Sequence, residues 1–204
     1  MKKTLFLFLP IIILFTSSCK DAASSKEAVV AKADTPVPVA SAVTNPRFSI
    51  APDEYADIAE KALMHVGNRE FDAWGDMLAD NVEYYFPDGD IGTRTKLTGK
   101  AAVVGWWKSL KEKSGIDSMK MSEFNHFPLN VTAQPKGGAA MGVYDFCYFS
   151  NTLMIKGKPL ALRMNYVTHF NADKKIDRYV TYYDRTALVK AIGKNVLDEA
   201  KQKQ

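Results

Sequence analysis

Asp145 stands in the run Val143, Tyr144, Asp145, Phe146, Cys147, Tyr148, Phe149, where aromatic residues crowd the one acid. Side chains of a strand alternate between its two faces, so Asp145 shares a face with Val143, Cys147 and Phe149. Because both sets are apolar, parity does not decide which one faces the core. If Asp145 faces inward, desolvation raises its pKa and it could serve as an acid or base near neutral pH, with the phenols of Tyr84 and Tyr166 orienting a substrate. The competing reading is a structural carboxylate bonded to Tyr84, Tyr166 or Tyr183, since a buried polar group needs a partner. Phenols, with an ordinary pKa of about 10, donate hydrogen bonds but seldom carry protons.

The remaining reactive side chains point to less. His65 flanks the apolar stripe of a helix, His126 sits in an irregular strand, and His169 has outward parity in its strand. None is at i, i+4 or alternates with another, so no metal-ligand spacing is recognisable, and neither metal nor cofactor is expected. Cys147, if buried, behaves as a small hydrophobe. Gly99-Lys100 lacks the glycine spacing and the Ser/Thr of a phosphate loop.

The other cysteine carries a different chemistry. Lys2 and Lys3, an apolar run of 11 residues from Leu5 to Phe15, and small residues Thr16, Ser17 and Ser18 lead directly to Cys19. The run is too short to cross a hydrocarbon layer of about 30 Å as a helix and reads as a secretion signal. Thr-Ser-Ser-Cys resembles a bacterial lipobox, which implies a signal peptide over 1–18 and a diacylglycerol and fatty-acyl (palmitate-type) anchor on Cys19. An ordinary secretory signal cleaved beside Ser18 is the alternative. The expected location is the bacterial cell envelope, on the outer membrane rather than the inner, because Lys20 is not an inner-membrane retention residue.

Removing Lys2 and Lys3 leaves 25 basic against 23 acidic residues, a formal +2, with no clustered basic face, so no nucleic-acid partner is expected. Cys19 and Cys147 are the two cysteines. With Cys19 lipidated there is no disulfide, and the core must hold the fold.

Residues 19–49, rich in Ala, Ser, Val, Lys and Pro, read as a flexible tether, and 50–204 as a single domain. Tyr55, Ile58, Ala59, Ala62, Leu63 and Val66 predict a helix ending at Gly67. A short helix follows from about 70 to 78, then a strand alternating Val82, Tyr84 and Phe86, then a helix over 101–113 carrying Trp106 and Trp107. Four strands, near 119–133, 138–152, 159–171 and 175–185, are separated by turns at 136–138, 156–159 and 171–174. In the third of these, Leu160, Leu162, Met164, Tyr166, Thr168 and Phe170 form the inward set. A final amphipathic helix uses Leu188, Val189, Ile192, Val196 and Leu197, closing its own domain or crossing to a partner. The class is α+β, helices on one face of a curved, mostly antiparallel sheet.

Phe71-Asp72-Ala73-Trp74, Leu78-Ala79-Asp80-Asn81-Val82, Phe86-Pro87-Asp88-Gly89 and Leu97-Thr98-Gly99-Lys100-Ala101-Ala102-Val103 resemble the first half of an NTF2-like (SnoaL-like) domain. Lys156-Gly157-Lys158-Pro159, Thr168-His169-Phe170-Asn171, Lys175-Ile176 and Tyr183-Asp184 resemble its closing hairpin. The likeness spans roughly 52–186. It implies a cone-shaped roll enclosing a pocket for a small apolar ligand, frequent homodimerisation through the sheet, and an inward Asp145. In the isomerase branch the general base precedes the proline of the first strand, which here is Phe86. The oxyanion acid falls on Tyr166 and the helix-one tyrosine near Ala62, so that isomerase chemistry is not expected.

Three functions follow, because the fold hosts enzymes and binding modules alike. The first is a membrane-anchored, non-catalytic domain holding a small apolar molecule among Tyr84, Phe86, Trp107, Cys147, Phe149, Met164, Tyr179 and Tyr183. The second is a cyclase, dehydratase or isomerase-type enzyme using Asp145 and Tyr166. The third is a protein-interaction, dimerising module.

Overall fold

A computed structural model describes residues 47–88 and 94–197. The signal-like segment, Cys19 and the tether up to residue 46 lie outside the described residues, as do residues 89–93 and 198–204. Among the described residues no helix is long and apolar enough to cross a membrane.

The elements run β1 (Phe48–Ile50), α1 (Glu54–Gly67), α2 (Phe71–Met77), β2 (Leu78–Tyr85), β3 (Lys96–Thr98), α3 (Lys100–Lys113), β4 (Ile116–Val131), β5 (Gly142–Ile155), β6 (Lys158–Phe170), β7 (Ile176–Tyr183) and α4 (Arg185–Ile192). The strands form one sheet ordered β1-β4-β5-β6-β7-β2-β3. Every pairing is antiparallel except β2 with β7. Two short edge strands escape the sequence reading. β1 pairs with the end of β4, Ser49 opposite Asn130, so the sheet begins before the expected boundary at residue 50. β3 pairs with β2, Leu97 opposite Tyr84. At three residues each, neither is long enough to show alternation.

α1 buries Ala59, Ala62, Leu63 and Val66, the one-face spacing that its sequence carries, and places Glu54 and Asp57 where the helix dipole favours acids. It packs over β4 and β5. α3 packs against β2 and α2 and buries both of its tryptophans: Trp106 meets Phe86 at 4.7 Å between ring centroids, and Trp107 meets Trp74 at 6.0 Å. α4 closes on its own domain, burying Leu188 and Ile192, with Val196 and Leu197 buried just beyond it. Asp184 caps it by accepting a hydrogen bond from the Thr186 N–H.

The inner face of β5 is Asp145, Cys147, Phe149, Asn151 and Leu153, all buried, and that of β6 is Leu162, Met164, Tyr166, Thr168 and Phe170, as parity predicts for β6. β4 changes phase along its length. Met119 and Met121 face inward before an irregularity between Ser122 and Asn125, where Glu123 takes a φ of 58°. Beyond this bulge the even positions face inward: Phe124 stacks on Phe149, and His126 stands opposite Cys147. A bulge adds one residue to one strand and so shifts which side chains reach each face.

Candidate functional site

Two groups of polar side chains stand out on the inner face of the sheet. The first lines a cavity. Tyr84 and Phe86 from β2, Trp106 and Trp107 from α3, Met164 and Tyr166 from β6, and Tyr183 from β7 surround a cavity of about 30 Å³, which Leu188 and Val196 close from the C-terminal side. That is space for about one water molecule. The Tyr84 hydroxyl donates to the Tyr166 hydroxyl at 3.0 Å, and Trp74 Nε1–H donates to the Tyr179 hydroxyl at 3.2 Å. Burial pushes the phenols of Tyr84, Tyr166 and Tyr179 well up, and that of Tyr183 up to about 12. These groups stay protonated and act as hydrogen-bond donors. Two residues of the same wall carry buried polar atoms without a partner: Trp107 Nε1–H, a donor, and Asn151 Oδ1, an acceptor. The Asn151 amide spends its N–H on Met164 Sδ, 3.8 Å away.

The second group lies under α1. Asp145 is fully buried, and its Oδ2 sits 2.8 Å from His126 Nδ1. On the other side of the ring, His126 Nε2 is 3.7 Å from Cys147 Sγ and 3.3 Å from Glu60 Oε2, which α1 lowers onto the strand. His126, Asp145 and Cys147 each offer a ligand atom, and these atoms lie within 4.8 Å of one another. Burial alone would pull the His126 imidazolium down, but Asp145 and then Glu60 outweigh it, so its pKa is raised. Burial, reinforced by the Asp145 carboxylate, pushes the Cys147 thiol up to about 12. Asp145 Oδ1 has no hydrogen-bond partner.

The expected site residues therefore divide. Tyr84, Phe86, Trp107, Met164, Tyr166 and Tyr183 line the cavity together. Tyr179 and Phe149 lie behind its wall, with Tyr179 5.5 Å from the Tyr84 ring and Phe149 5.2 Å from the Tyr166 ring. Asp145 and Cys147 face inward but belong to the other group. Asp145 is bonded to neither Tyr84, Tyr166 nor Tyr183; its partner is His126. The sequence reading missed this because the bulge at Glu123, which has no glycine to mark it, decides the direction of His126. A left-handed Glu leaves no compositional trace. His169 keeps its outward parity yet is buried, held between Asp177 Oδ1 at 2.5 Å and the Met141 carbonyl at 3.0 Å, a packing role.

Position 86, where the isomerase branch carries its base, is a fully buried phenyl ring against Trp106. The aromatic cavity has no carboxylate and no imidazole among its described lining residues. Its chemistry is hydrogen bonding within an aromatic wall.

Neither a protein-family model nor a curated protein matches the chain. Solved structures do match. A candidate isomerase from Bacillus subtilis is 15% identical, with 70% of this chain and 95% of that one covered and a TM-score of 0.51. A candidate SnoaL-like polyketide cyclase from Shewanella putrefaciens is 9% identical, covering 70% and 87%, with a TM-score of 0.51. Bal32a, from a soil-derived mobile gene cassette, is 11% identical, covering 68% and 96%, with a TM-score of 0.50. At these identities the likeness is one of fold, and the fold is the NTF2-like, SnoaL-like roll that the sequence motifs resemble.

Proposed function

We propose, from an NTF2-like roll whose interior cavity is aromatic and lined by no carboxylate or imidazole, that this protein is a membrane-anchored binding domain for a small apolar molecule carrying one hydroxyl or similar polar group. The observation that carries this reading is the pair of unpartnered polar atoms on the cavity wall, Trp107 Nε1–H and Asn151 Oδ1. Each costs free energy while unbonded, and a ligand hydroxyl can accept from the first and donate to the second. The aromatic and aliphatic remainder of the wall suits an apolar body.

At about 30 Å³ the cavity as it stands is too small for such a ligand. Ligand pockets run to about 300 Å³ or more. Room for a ligand comes from the C-terminal side, where Leu188 of α4 and Val196 supply the closing side chains. α4 is eight residues long and ends at Gly193, whose φ of 87° is a left-handed helix stop. A short terminal element of this kind can be displaced without disturbing the sheet.

The anchor rests on the segment ending in Cys19, which supports attachment to the cell envelope, on the outer membrane, with residues up to about 47 as a spacer. A homodimer through the outer sheet face is a compatible second reading. Phe127, Tyr148 and Tyr182 are 54%, 52% and 50% exposed there, and Tyr148 and Tyr182 flank Asn165 on neighbouring strands.

Solvent extraction of the natively purified full chain, followed by mass spectrometry, tests the binding reading. A co-purifying small molecule that quenches tryptophan fluorescence when added back is the expected result. An empty protein whose tryptophan emission and melting temperature respond to no member of a hydroxylated apolar library would overturn it.

A further inference from the structure

The group under α1 has the composition and spacing of a metal site. In a tetrahedral zinc centre, ligand bonds of about 2.0–2.3 Å place a histidine nitrogen about 3.3 Å from a carboxylate oxygen and about 3.6 Å from a thiolate sulfur. His126 Nε2 stands 3.3 Å from Glu60 Oε2 and 3.7 Å from Cys147 Sγ. These match two edges of such a tetrahedron; the ligand atoms already within 4.8 Å of one another are those of His126, Asp145 and Cys147, and the half-exposed Glu60 side chain must turn toward Cys147 to close the third edge. The remaining ring nitrogen, Nδ1, is held at 2.8 Å by Asp145 Oδ2, the arrangement in which a carboxylate fixes the tautomer and direction of a metal-bound imidazole.

Charge argues the same way. Asp145 is fully buried, its only ion-pair partner among the described residues is His126, and its Oδ1 has no hydrogen-bond partner at all. Glu60 adds a second carboxylate on the far side of the same ring. Glu60 is half exposed and solvated, so the buried, under-partnered acid is Asp145 alone, and a cation on the far nitrogen of His126 keeps the ring's Nδ1–H directed at it.

We propose that Glu60, His126 and Cys147 form a binding site for a zinc-class divalent cation, with Asp145 as the positioning residue behind His126. A thiolate–imidazole–carboxylate set selects zinc or cobalt over magnesium or calcium, which take oxygen ligands. Glu60 is 48% exposed at the edge of α1, so the cation reaches the site from the helix side and one coordination position remains for water. On binding, the Cys147 thiol gives its proton to solvent and the sulfur lone pair forms the metal bond. The site is separate from the aromatic cavity, and each can fail without the other.

The test uses the full chain, purified in detergent and stripped with a chelator, titrated with cobalt(II) and then with zinc as competitor. The expected result is one cobalt per chain with thiolate-to-cobalt charge transfer in the near ultraviolet and the intense visible bands of four-coordinate cobalt. Cys147→Ser loses the charge-transfer band and His126→Gln loses the visible bands. Asp145→Asn keeps the band shape but binds about 10–100-fold more weakly, as loss of an outer carboxylate does. Should Cys147→Ser fail to fold, Glu60→Gln on the half-exposed helix edge still reports, with affinity reduced by at least as much. Absence of stoichiometric cobalt, cobalt bound without charge transfer, or affinity unchanged in Glu60→Gln would each overturn the proposal.

Discussion

His126 and Cys147 are cross-strand partners: 21 residues apart in the chain, they stand opposite each other on β4 and β5 with Nε2 3.7 Å from Sγ. A thiol, an imidazole and a carboxylate in a row have the layout of a nucleophile, its base and an orienting acid. The environment opposes that use. Cys147 is fully buried, and its thiol is pushed up to about 12, so at neutral pH the metal-free protein holds a thiol and not a thiolate.

Cys147 in the chelated, folded protein is accordingly expected to resist alkylation at pH 8, and to react promptly once the chain is unfolded in denaturant. Mass-spectrometric mapping of the peptide containing Cys147 checks this. Rapid modification of Cys147 in the native protein would reveal an exposed, activated thiol instead.

Phe86→Ala empties a fully buried ring site between Trp106 and Tyr84. Truncations of this kind cost about 3–5 kcal/mol. Chemical denaturation should show that loss, together with a larger cavity that takes up hydrophobic dyes more readily than the parent protein does.

The Tyr84–Tyr166 hydrogen bond joins two fully buried phenols. A double-mutant cycle on Tyr84→Phe and Tyr166→Phe should give a coupling of about 1 kcal/mol. A coupling near zero would mean that the two hydroxyls find other partners.

Glu83 organises the outer side of β2, receiving Lys96 at 2.8 Å and Arg178 at 2.9 Å. Its carboxyl is lowered, first by the Lys96 hydrogen bond, against the opposing effect of burial. A lowered folded-state pKa adds stability above the ordinary carboxylate pKa and loses it as pH falls through the folded value. The stability difference between the parent and Glu83→Gln should thus be fully developed at neutral pH and shrink as pH is lowered into the carboxylate range. Melting temperatures of both proteins across that range check the sign.

If the outer sheet face joins two copies, Tyr148→Glu places a charge in the row that Tyr148 and Tyr182 make beside Asn165, and a dimer should become a monomer with its melting temperature little changed. Sedimentation of the full chain in detergent, at several concentrations, reads this directly. Unchanged mass in the variant would remove that face from consideration.

Much of this architecture was legible in the residues. The apolar spacing of α1, the alternation of Val82, Tyr84 and Phe86, and the glycine-marked turn at 157 carried the order of elements. The parity of β6 identified Tyr166 and Met164 as interior, and both line the cavity. The second polar group was not legible. Asp145 and Cys147 share one face of β5, turned inward by the family resemblance and not by parity, and their companions come from elsewhere: Glu60 from α1 through packing, and His126 through a phase change in β4. Parity can be extrapolated only along an uninterrupted strand. The closing role of Val196 was also open, since an amphipathic terminal helix serves its own chain or a neighbour equally well.

The kink at Glu123 therefore works as a one-residue frame setting for everything downstream on β4. With Glu123 deleted, one continuous alternation from Met119 onward would still carry Phe124 and His126 inward, whereas drawing Glu123 into regular strand with no residue lost would turn Phe127 toward α1 and His126 to solvent. The cation site thus depends at this point on register and not on the identity of any ligand-bearing side chain.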